Sequence, residues 1–555
     1  MKKVRIGSGS AYWGDMLDPA VELVKKGDIG YIGFDHLAEL TMALLQRAKT
    51  KDPATGYIPD IIPWMKAILP TCAEKGITVI SNGGGANPEA GGDEVVKLAK
   101  ELNLTGLKVG VVVGDDIFGK LDEMSAKGIK FKNMDTGEED INRIRDKIVA
   151  ANAYIGADSI IEALQEGAKV IVAGRVSDNA LYVGPLMYEF GWSFNNPDWD
   201  LIGAAITVGH IIECAECCTG GMSNMWKVAP RLWDIGFPIA EVYENGDAII
   251  TKTPDSGGLV NQWTIKEHLI YEVHDPSNYL MPDGIADFTA LKLEEIGKDQ
   301  VKVTKMKGKP RPSELKVCIG YRDGFIGEGQ VFFPWPDAYE KAKKGAETVR
   351  ERLKKVNLDA EELRIDYIGV NTLHGEVAPE PTSELNEVGL RVVAKTKTKE
   401  EAEKVRREVT HLWTIGSVGS SFGVPLPIRP GYPGTKRRSS HQGYYKGGQV
   451  RMKKVRLKDL AYARSGDKGD VSNIGLMAFN KENYEIIKRE VTPEKVKKHF
   501  KGMVKGDVKI YEMPNLDSLE IVLYNALGGG ATRTLRLDQT GKSMGQALLW
   551  MEVEV

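Results

Sequence analysis

The sequence predicts an α/β protein whose N-terminal part is built on a parallel sheet, and three observations lead to this fold class. From Lys2 to about Gly174, a short apolar run is followed repeatedly by a glycine or acidic turn and then by a segment of helical period. Each apolar run ends in a polar loop of small residues. The last hundred residues restart the pattern on a smaller scale, with strand candidates around one helix. Helical crossovers join parallel strands, so the first part predicts a parallel sheet.

Five strand-sized runs make up this sheet. Asp18 and Pro19 suit the cap and the first residue of the helix after the first run, and Gly27 suits its end. In open α/β sheets ligands bind at the carboxyl ends of the strands, so we expect a site in the loops there. The predicted strands are residues 4–7, 30–34, 78–81, 108–113 and 169–173.

The middle of the chain changes to β-like segments. Asn245-Gly246, inside residues 239–251, is a strong hairpin signal, and we expect a hairpin-rich excursion over residues 226–312. A split βαβ layer is expected next. Its predicted elements are residues 316–321, 337–356, 364–370, 389–394 and 399–414.

A linker and a small α+β domain complete the prediction. Residues 430–452 are rich in Gly, Pro, Ser and basic residues, including Lys436-Arg437-Arg438, which is typical of a linker. Strands are then predicted at residues 519–524 and 548–555, with a helix at residues 494–500. The predicted domains are residues 1–225 (α/β core), 226–445 (excursion and split layer) and 453–555 (α+β domain).

Composition excludes several classes of protein. The chain has 555 residues, 42% hydrophobic and 27% charged, with a net charge of -3, so nothing indicates a nucleic-acid or membrane partner. The apolar stretches are strand-sized, and the N-terminus has no signal-peptide pattern, which predicts a cytoplasmic protein. Five cysteines, an odd number, favour a reducing compartment. Gly7-Ser8-Gly9 lacks the third glycine of a dinucleotide fingerprint because Tyr12 stands there, so no nicotinamide cofactor is expected.

Glycines and amides at the strand ends are candidates for binding an anion. Glycine lets the backbone approach a phosphate or carboxylate closely, and its N–H groups can point at the ligand. The alternative interpretation is a tight crossover without a ligand. The candidates of this kind are Gly7, Gly9, Asn82, Gly84, Gly85 and Asn87.

Charged residues follow two of the strands. Asp35, His36 and Glu39 follow the second strand, where acid and base groups gather in α/β enzymes, although a capped helix start explains them equally well. Arg175, Ser177 and Asp178 follow the fifth strand. Arg175 suits a substrate carboxylate or phosphate, and the alternative is an internal Arg–Asp pair.

Residues 209–221 form the densest chemical cluster. On a helix, His210, Glu213, Cys214 and Cys217 would share one face, which suits a metal or a reactive thiolate. A structural zinc site wants four ligands, and no second Cys/His pair follows apart from the isolated Cys318, so we expect no metal. Buried inert cysteines are the other interpretation.

Two segments of the last domain combine fixed charge with flexible backbone. Residues 463–470, with Arg464, Asp467 and Lys468, and residues 527–533, with Gly529, have the ingredients of an anion-binding turn. A solvated loop is the alternative.

Several short sequence blocks, taken in their order along the chain, resemble the acyclic terpene utilisation (AtuA) family over nearly the whole chain. The tail, with residues 464–470 and Gly528-Gly529-Gly530, is similar to the ferredoxin-fold domain that follows the main domain in this family. Asp35-His36 and Glu216-Cys217-Cys218 depart from the pattern. The matching blocks are Gly7-Ser8-Gly9, Gly14-Asp15, Asp18-Pro19, Leu37-Ala38-Glu39, Ser81-Asn82, Ala86-Asn87-Pro88, Ala173-Gly174-Arg175-Val176, Asp178, Gly209-His210, Glu213-Cys214, Thr219-Gly220-Gly221, His274-Asp275-Pro276, Tyr279 and Pro282-Asp283.

The resemblance implies a role in the breakdown of branched acyclic terpenoids, with intermediates handled as coenzyme A thioesters beside biotin-dependent carboxylases. We expect a lyase or hydratase acting on a carboxylate or acyl-CoA, without a bound prosthetic group and with coenzyme A as part of the substrate. His210 or Glu213 would remove a proton, and Glu39 or Asp178 would supply the opposing acid or orient the base. Backbone N–H groups near Gly84 would stabilise an enolate-like charge.

Two rival functions stay open. One is a noncatalytic assembly partner of an acyl-CoA carboxylase that docks through the tail. The other is a metal-dependent hydrolase built around His210, Glu213 and Cys214. A homo-oligomer is expected by default.

Overall fold

The computed structural model describes residues 1–422 and 454–554. The chain divides into two compact units. The first comprises Met1–Arg322, Tyr462–Tyr484 and Lys509–Leu523, and the second comprises Asp323–Ala461, Glu485–Val508 and Tyr524–Val555. The predicted linker at residues 430–452, with its Lys436-Arg437-Arg438 run, lies outside the described residues.

Strands and helices alternate over the first 173 residues. They are β1 (Lys3–Ser8), α1 (Leu17–Lys26), β2 (Tyr31–Phe34), α2 (Glu39–Lys51), α3 (Ile61–Lys75), β3 (Thr78–Ser81), α4 (Pro88–Glu101), β4 (Val109–Val112), α5 (Leu121–Ala126), β5 (Ile148–Ala153), α6 (Asp158–Gln165) and β6 (Val170–Ala173). The five predicted strands are all present, each within a residue of its predicted ends. Helix α1 is capped by Met16, two residues before Asp18, and ends at Gly27 as predicted.

The next segment supplies two long helices and several short strands. They are α7 (Ala180–Phe190), α8 (Trp199–Ile212), β7 (Pro238–Tyr243), β8 (Ala248–Lys252), α9 (Gln262–Leu269), β9 (Tyr279–Met281), β10 (Gly284–Asp287), β11 (Lys292–Gly297), β12 (Gln300–Thr304) and β13 (Lys307–Lys309). The predicted hairpin is β7–β8, and Gly246 takes the positive φ of 86° that its turn requires.

One nine-stranded sheet organises the first unit, in the order β11-β12-β8-β7-β1-β2-β3-β6-β4. Strands β1, β2, β3, β6 and β4 are parallel, and the β7–β8 hairpin continues the sheet antiparallel to β1. Residues of β2, β3 and β6 are buried throughout, because helices cover both faces. The carboxyl ends of the parallel strands therefore meet at one edge.

The split layer belongs mainly to the second unit. The elements here are β14 (Val317–Tyr321), β15 (Phe325–Pro334), α10 (Ala338–Lys355), β16 (Glu362–Ile368), β17 (Glu387–Thr396), α11 (Lys399–Ile415) and β18 (Ser421–Phe422). The sheet order β16-β17-β15-β18 places β17 between the two strands that α10 connects, which is the split βαβ arrangement. Its first strand is β15, which the sequence analysis did not identify, whereas β14 pairs with β5 in the first unit.

The C-terminal segment is a small α+β domain. It contains β19 (Lys454–Arg456), β20 (Ala461–Lys468), β21 (Val471–Ala478), α12 (Lys481–Glu490), α13 (Pro493–Phe500), β22 (Val508–Met513), β23 (Ser518–Leu523), α14 (Met544–Leu548) and β24 (Glu552–Glu554). The predicted helix at residues 494–500 and the strand at 519–524 are present. The predicted strand at 548–555 is confirmed only as β24, because Leu548 still belongs to α14.

The sheet β20-β21-β23-β22 packs beside α9 within the first unit. Asn473 of β21 donates from Nδ2 to the carbonyl of Ile270 at 3.3 Å. A Cβ on Gly475 would lie 2.4 Å from the Ile270 side chain, so only glycine permits this approach. Strand β20 is thereby held close to the residues that follow α9. Among the helices of the described chain, none is long and apolar enough to cross a membrane.

Candidate active site

Polar side chains from neighbouring strands meet at the carboxyl edge of the central sheet. Asn82, after β3, donates from Nδ2 to Oδ1 of Asp35 at 2.6 Å, and its Oδ1 accepts the N–H of His36 at 2.8 Å. Burial, together with the charge of Asp178, raises the pKa of Asp35 well above its usual value. Burial therefore favours the protonated form of Asp35.

His36 has a different environment from Asp35. Its ring stacks on Phe34 at a centroid distance of 6.1 Å and meets Trp64 edge-on at 5.4 Å. Burial lowers the pKa of His36 to about 4, so the ring is neutral at physiological pH. It packs as part of the core.

Arg175 and Asp178 form an ion pair after β6. The guanidinium is fully buried and donates from Nη1 to the carbonyl of Leu37 at 2.8 Å and from Nε to that of Val176 at 2.8 Å. Nη2 also bonds Asp178 Oδ1. Asp178 keeps 27% of its side chain exposed, so Arg175 fixes the orientation of a carboxylate that a substrate can reach.

The aromatic ring of Tyr154 contacts the cations of two ion pairs, Arg175–Asp178 and Lys316–Glu39. The Arg175 guanidinium lies 4.4 Å from the ring centroid, and Nζ of Lys316 lies 4.8 Å from it. Lys316 in turn bonds Glu39 Oε1 at 2.8 Å. Lys316 comes from the approach to β14, and its neighbours in the sequence do not indicate a role in a site.

Glu39 is an accessible carboxylate between two lysines. Its side chain is 47% exposed. The charge of Lys316 is the main influence that lowers the pKa of Glu39 to about 2, and Lys468 adds to it. Glu39 is therefore ionised at every physiological pH, which suits an electrostatic role better than that of an acid.

Strand β20 brings Lys468 to the same place. Nζ of Lys468 bonds Glu272 Oε2 at 2.7 Å, and 31% of the lysine side chain remains exposed. Burial alone would lower the pKa of Lys468, but the charges of Glu272 and Glu39 outweigh it and hold the pKa well above its usual value. The anion-binding turn predicted at residues 463–470 is therefore part of strand β20 as far as Lys468. Asp467 lies on the same strand and is half-buried.

The glycine-rich loop after β3 uses its own N–H groups for folding. Gly85 N donates to the carbonyl of Asn82 at 3.1 Å, and Asn87 N donates to that of Gly84 at 2.9 Å. Asn87 also donates from Nδ2 to the carbonyls of Pro53 and Thr55. A Cβ on Gly84 would lie 2.6 Å from the Ala173 carbonyl oxygen, so this glycine permits a close crossover.

The remaining candidates at the strand ends are also packed. A Cβ on Gly7 would lie 2.7 Å from Leu23, and one on Gly9 would lie 2.4 Å from the Phe34 ring. Gly9 N donates to the Gly33 carbonyl at 2.7 Å. Ser177 is buried. Gly529 belongs to the second unit, where its φ of 97° forms a turn near Arg533.

The end of α8 carries the predicted His210, Glu213 and Cys214. His210 is fully buried, and burial lowers its pKa to about 3. Its Nδ1 lies 3.3 Å from Glu213 Oε1. A hydrogen bond with Cys217, followed by burial, raises the pKa of Cys214 well above its usual value, the opposite of what a thiolate nucleophile requires.

Helix α9 adds a residue that the sequence analysis missed. Ligand atoms of Glu213, Cys214 and His268 all lie within 4.8 Å of one another, the one such group of three found in the part of the chain that the structure describes. His268 stands 55 residues from Glu213, and only the packing of α9 beside α8 brings it here. No spacing rule would have identified it.

Arg464 approaches the cysteines from β20. Its side chain is almost fully buried, its Nη1 donates to the Cys217 carbonyl at 3.4 Å, and its guanidinium lies 4.2 Å from the Tyr271 ring centroid. Cys218 is fully buried, and burial raises the pKa of its thiol above the usual value. The buried positive charge of Arg464 therefore lies between the Cys217 carbonyl and the Tyr271 ring.

Comparison with known proteins agrees with this arrangement of domains. The family model for the acyclic terpene utilisation family protein AtuA matches residues 4–436, and the model for the AtuA ferredoxin-like domain matches residues 455–554. No curated protein and no solved structure matches the chain. The two matches cover both the sheet edge with Arg175 and Asp178 and the strand with Arg464 and Lys468. The chain therefore belongs to the acyclic terpene utilisation (AtuA) family and carries that family's ferredoxin-like domain.

Proposed function

We propose that this chain is a catabolic enzyme acting on a branched, acyclic terpenoid-type carboxylate or its acyl-CoA thioester by acid/base catalysis of the lyase or hydratase kind. Membership of the family suggests acyclic terpene utilisation as the setting. One observation carries the chemistry: an accessible carboxylate, Asp178, is fixed by a buried arginine near two accessible ammonium groups, Lys316 and Lys468.

Asp178 is the base in this proposal. Its carboxylate removes the proton on the carbon next to the thioester or carboxylate carbonyl, and Arg175 keeps it in one orientation through the Nη2 bond. Arg175 is a positioning residue here, because its donors bond Leu37, Val176 and Asp178. His210 is less suited to this step than the sequence suggested, because its ring is fully buried.

Lys468 and Lys316 stabilise the negative charge that develops on the carbonyl oxygen. Both ammonium groups are partly accessible, and both lower the pKa of Glu39. A positive charge fixed beside the carbonyl oxygen stabilises an enolate-like oxygen. We assign this role to the lysines rather than to the N–H groups near Gly84, since Gly85 and Asn87 donate within the loop.

The electrons of the enolate then form the double bond and expel the hydroxyl group on the next carbon, which takes the proton held by Asp178 and leaves as water; hydration runs these steps in reverse. Coenzyme A enters as part of the substrate. The assembly-partner hypothesis stays a prediction, since no contact among the described residues favours it over an enzyme.

Deuterium exchange tests the proposal. The purified protein is incubated in D2O with methyl-branched saturated and enoyl-CoA thioesters and with the free acids, and the products are analysed by mass spectrometry. We expect deuterium at the carbon next to the carbonyl, and gain or loss of one water from the enoyl or hydroxyacyl substrate. A thermal-shift screen with the same compounds runs in parallel, because a ligand at a hundred times its Kd stabilises a protein by about 2.7 kcal/mol.

The Asp178→Asn variant is the control. It keeps the size and most hydrogen bonds of the side chain but cannot remove a proton. Thermal shifts without exchange in the wild-type protein would favour a binding role over catalysis. Neither shift nor exchange with any of the compounds would rule the proposal out.

A further inference from the structure

We infer that Glu213, Cys214 and His268 form a binding site for one divalent metal ion, with zinc as the best chemical match. The sequence analysis expected no metal, because no second Cys/His pair follows residues 209–221 apart from Cys318. Folding supplies a different histidine from α9, and the ligand atoms of the three residues lie within 4.8 Å of one another.

The donor set matches zinc. Zinc accepts thiolate sulfur, imidazole nitrogen and carboxylate oxygen together, whereas magnesium and calcium prefer oxygen alone. Bond lengths of about 2.0–2.3 Å in a tetrahedral site bring ligand atoms to roughly 3.3–3.8 Å from one another. Side-chain movements of about 1 Å are therefore enough to close the site. Three protein ligands leave a fourth position open, as in catalytic rather than structural zinc sites.

An independent observation points to a ligand. His268 is fully buried, and neither ring nitrogen has a hydrogen-bond partner among the described residues. Burying a polar group without a partner costs free energy, so such groups in folded proteins usually have an explanation. A metal bound to one ring nitrogen of His268 supplies it.

His210 takes a supporting position rather than that of a ligand. Its ring lies 5.4 Å from the His268 ring, and its Nδ1 lies 3.3 Å from Glu213 Oε1. Residues that bond a ligating carboxylate orient it and raise metal affinity, usually by about 10–100-fold. His210 Nδ1 contacts the Glu213 carboxylate without a hydrogen bond between them, and we assign His210 a positioning role in which this contact closes to a hydrogen bond when the metal binds.

The charge balance also favours a cation. A metal-bound site would hold two negative ligands, the Glu213 carboxylate and the Cys214 thiolate, and these neutralise a divalent ion. Binding of the ion displaces any proton that either ligand carries.

Metal analysis and cobalt spectroscopy test the site without any substrate, so the result does not depend on the proposed reaction. The full-length protein is stripped with a chelator, its fold is checked by circular dichroism, and it is titrated with Zn2+ and separately with Co2+. We expect one equivalent of either metal, a higher melting temperature, and, for Co2+, tetrahedral d–d bands with a thiolate-to-cobalt charge-transfer band.

Matched variants assign the ligands. Cys214→Ser is expected to lose the charge-transfer band, and His268→Asn is expected to lose at least tenfold in affinity. Cys218→Ser, a buried thiol of the same segment, is expected to behave like the wild type. His210→Gln is expected to weaken binding by about 10–100-fold while all bands remain.

The wild-type titration decides the question even if a buried variant fails to fold. A folded wild-type protein that binds less than a tenth of an equivalent and develops no cobalt bands would overturn the inference. So would a Cys214→Ser protein with unchanged cobalt bands.

Discussion

Each of the two units contains a buried arginine that bonds a carboxylate, and the two arrangements differ in how many carboxylates share the guanidinium. In the first unit, Arg175 bonds Asp178, which is 27% exposed. In the second unit, Arg391 bonds two carboxylates, the buried Asp366 at 3.0 Å and Glu328, which is 34% exposed, at 2.7 Å. Arg391 also donates to the Leu535 carbonyl at 2.8 Å.

The difference bears on the role of each pair. Asp366 is buried with Arg391, so no ligand reaches that bond and the pair stabilises the fold. Asp178 is the one carboxylate that bonds Arg175 among the described residues, and its exposed fraction leaves it within reach of a ligand, as the proposed function requires. Sequence composition cannot distinguish the two, because both are Arg with Asp near a strand.

We expect the largest effect on the rate of deuterium exchange at the Arg175–Asp178 pair, whose carboxylate is partly exposed. Asp178→Asn removes the base but keeps the packing, so deuterium exchange should slow by about 10²–10⁴-fold, the usual contribution of a general base. The melting temperature should also fall, because the fully buried Arg175 guanidinium loses the charge of its bonded carboxylate, so exchange rates are compared per folded molecule. Exchange by the variant within a factor of three of the wild-type rate would contradict the distinction between the two pairs.

We expect a different result at the buried Arg391–Asp366 pair, where a substitution should lower stability and leave the exchange reaction unchanged. Arg391→Met leaves Asp366 buried with only Arg364 as its partner, at 2.8 Å, so we expect a loss of about 3 kcal/mol in unfolding free energy. Chemical denaturation followed by tryptophan fluorescence measures it. The exchange rate per folded molecule should be unchanged. Arg391→Lys is the conservative control and should lose less stability.

A third carboxylate, Asp283, provides a pH test. It is fully buried, its Oδ1 accepts the N–H of Ala157 at 2.7 Å, and burial raises its pKa to about 6. The unfolded chain deprotonates first as pH rises, so the folded state is progressively destabilised between about pH 4 and pH 6. Asp283→Asn removes this penalty.

The variant should therefore gain stability relative to the wild type by about 1.4 kcal/mol more at pH 8 than at pH 5. Parallel denaturation curves at the two pH values measure this difference. A gap between the two proteins that stays constant with pH would show that Asp283 is ionised in the folded protein at both.

The smallest effect is expected at Lys468. Its ammonium is partly accessible and therefore screened, so Lys468→Met should weaken the binding of a branched acyl-CoA or free acid by about fivefold. Lys468→Arg, which keeps the charge, should lose less. Isothermal titration with a ligand found in the screen measures both. Equal affinity of the wild type and the methionine variant would remove Lys468 from the anion site.

The sheet, and the candidate-site residues that lie at its strand ends, could be predicted because they depend on local sequence pattern. The parallel strands are short apolar runs with polar ends, so their position and the edge that carries Asp35, Asn82, Arg175 and Asp178 follow from local pattern. The same local pattern predicted the Asn245-Gly246 hairpin.

The rest of the site depends on tertiary packing. His268, Glu272 and Lys316 reach the site from α9, from the segment after it, and from the approach to β14, respectively. The residues next to them in the sequence do not indicate this role. Periodicity placed His210 on the face of Glu213 correctly, but it could not show that His268 joins Glu213 and Cys214. The glycine loops illustrate the opposite error, since glycine is required equally for ligand approach and for close crossovers such as that at Gly84.

The position of β20 has a consequence during synthesis of the protein. Asp178, Glu39 and Glu213 are all translated within the first 213 residues, but Arg464 and Lys468 emerge only near the end of the chain. A polypeptide interrupted before residue 462 holds the carboxylates of the site without these two cations. The site of the proposed function is therefore complete only after the last sheet has been translated and has folded.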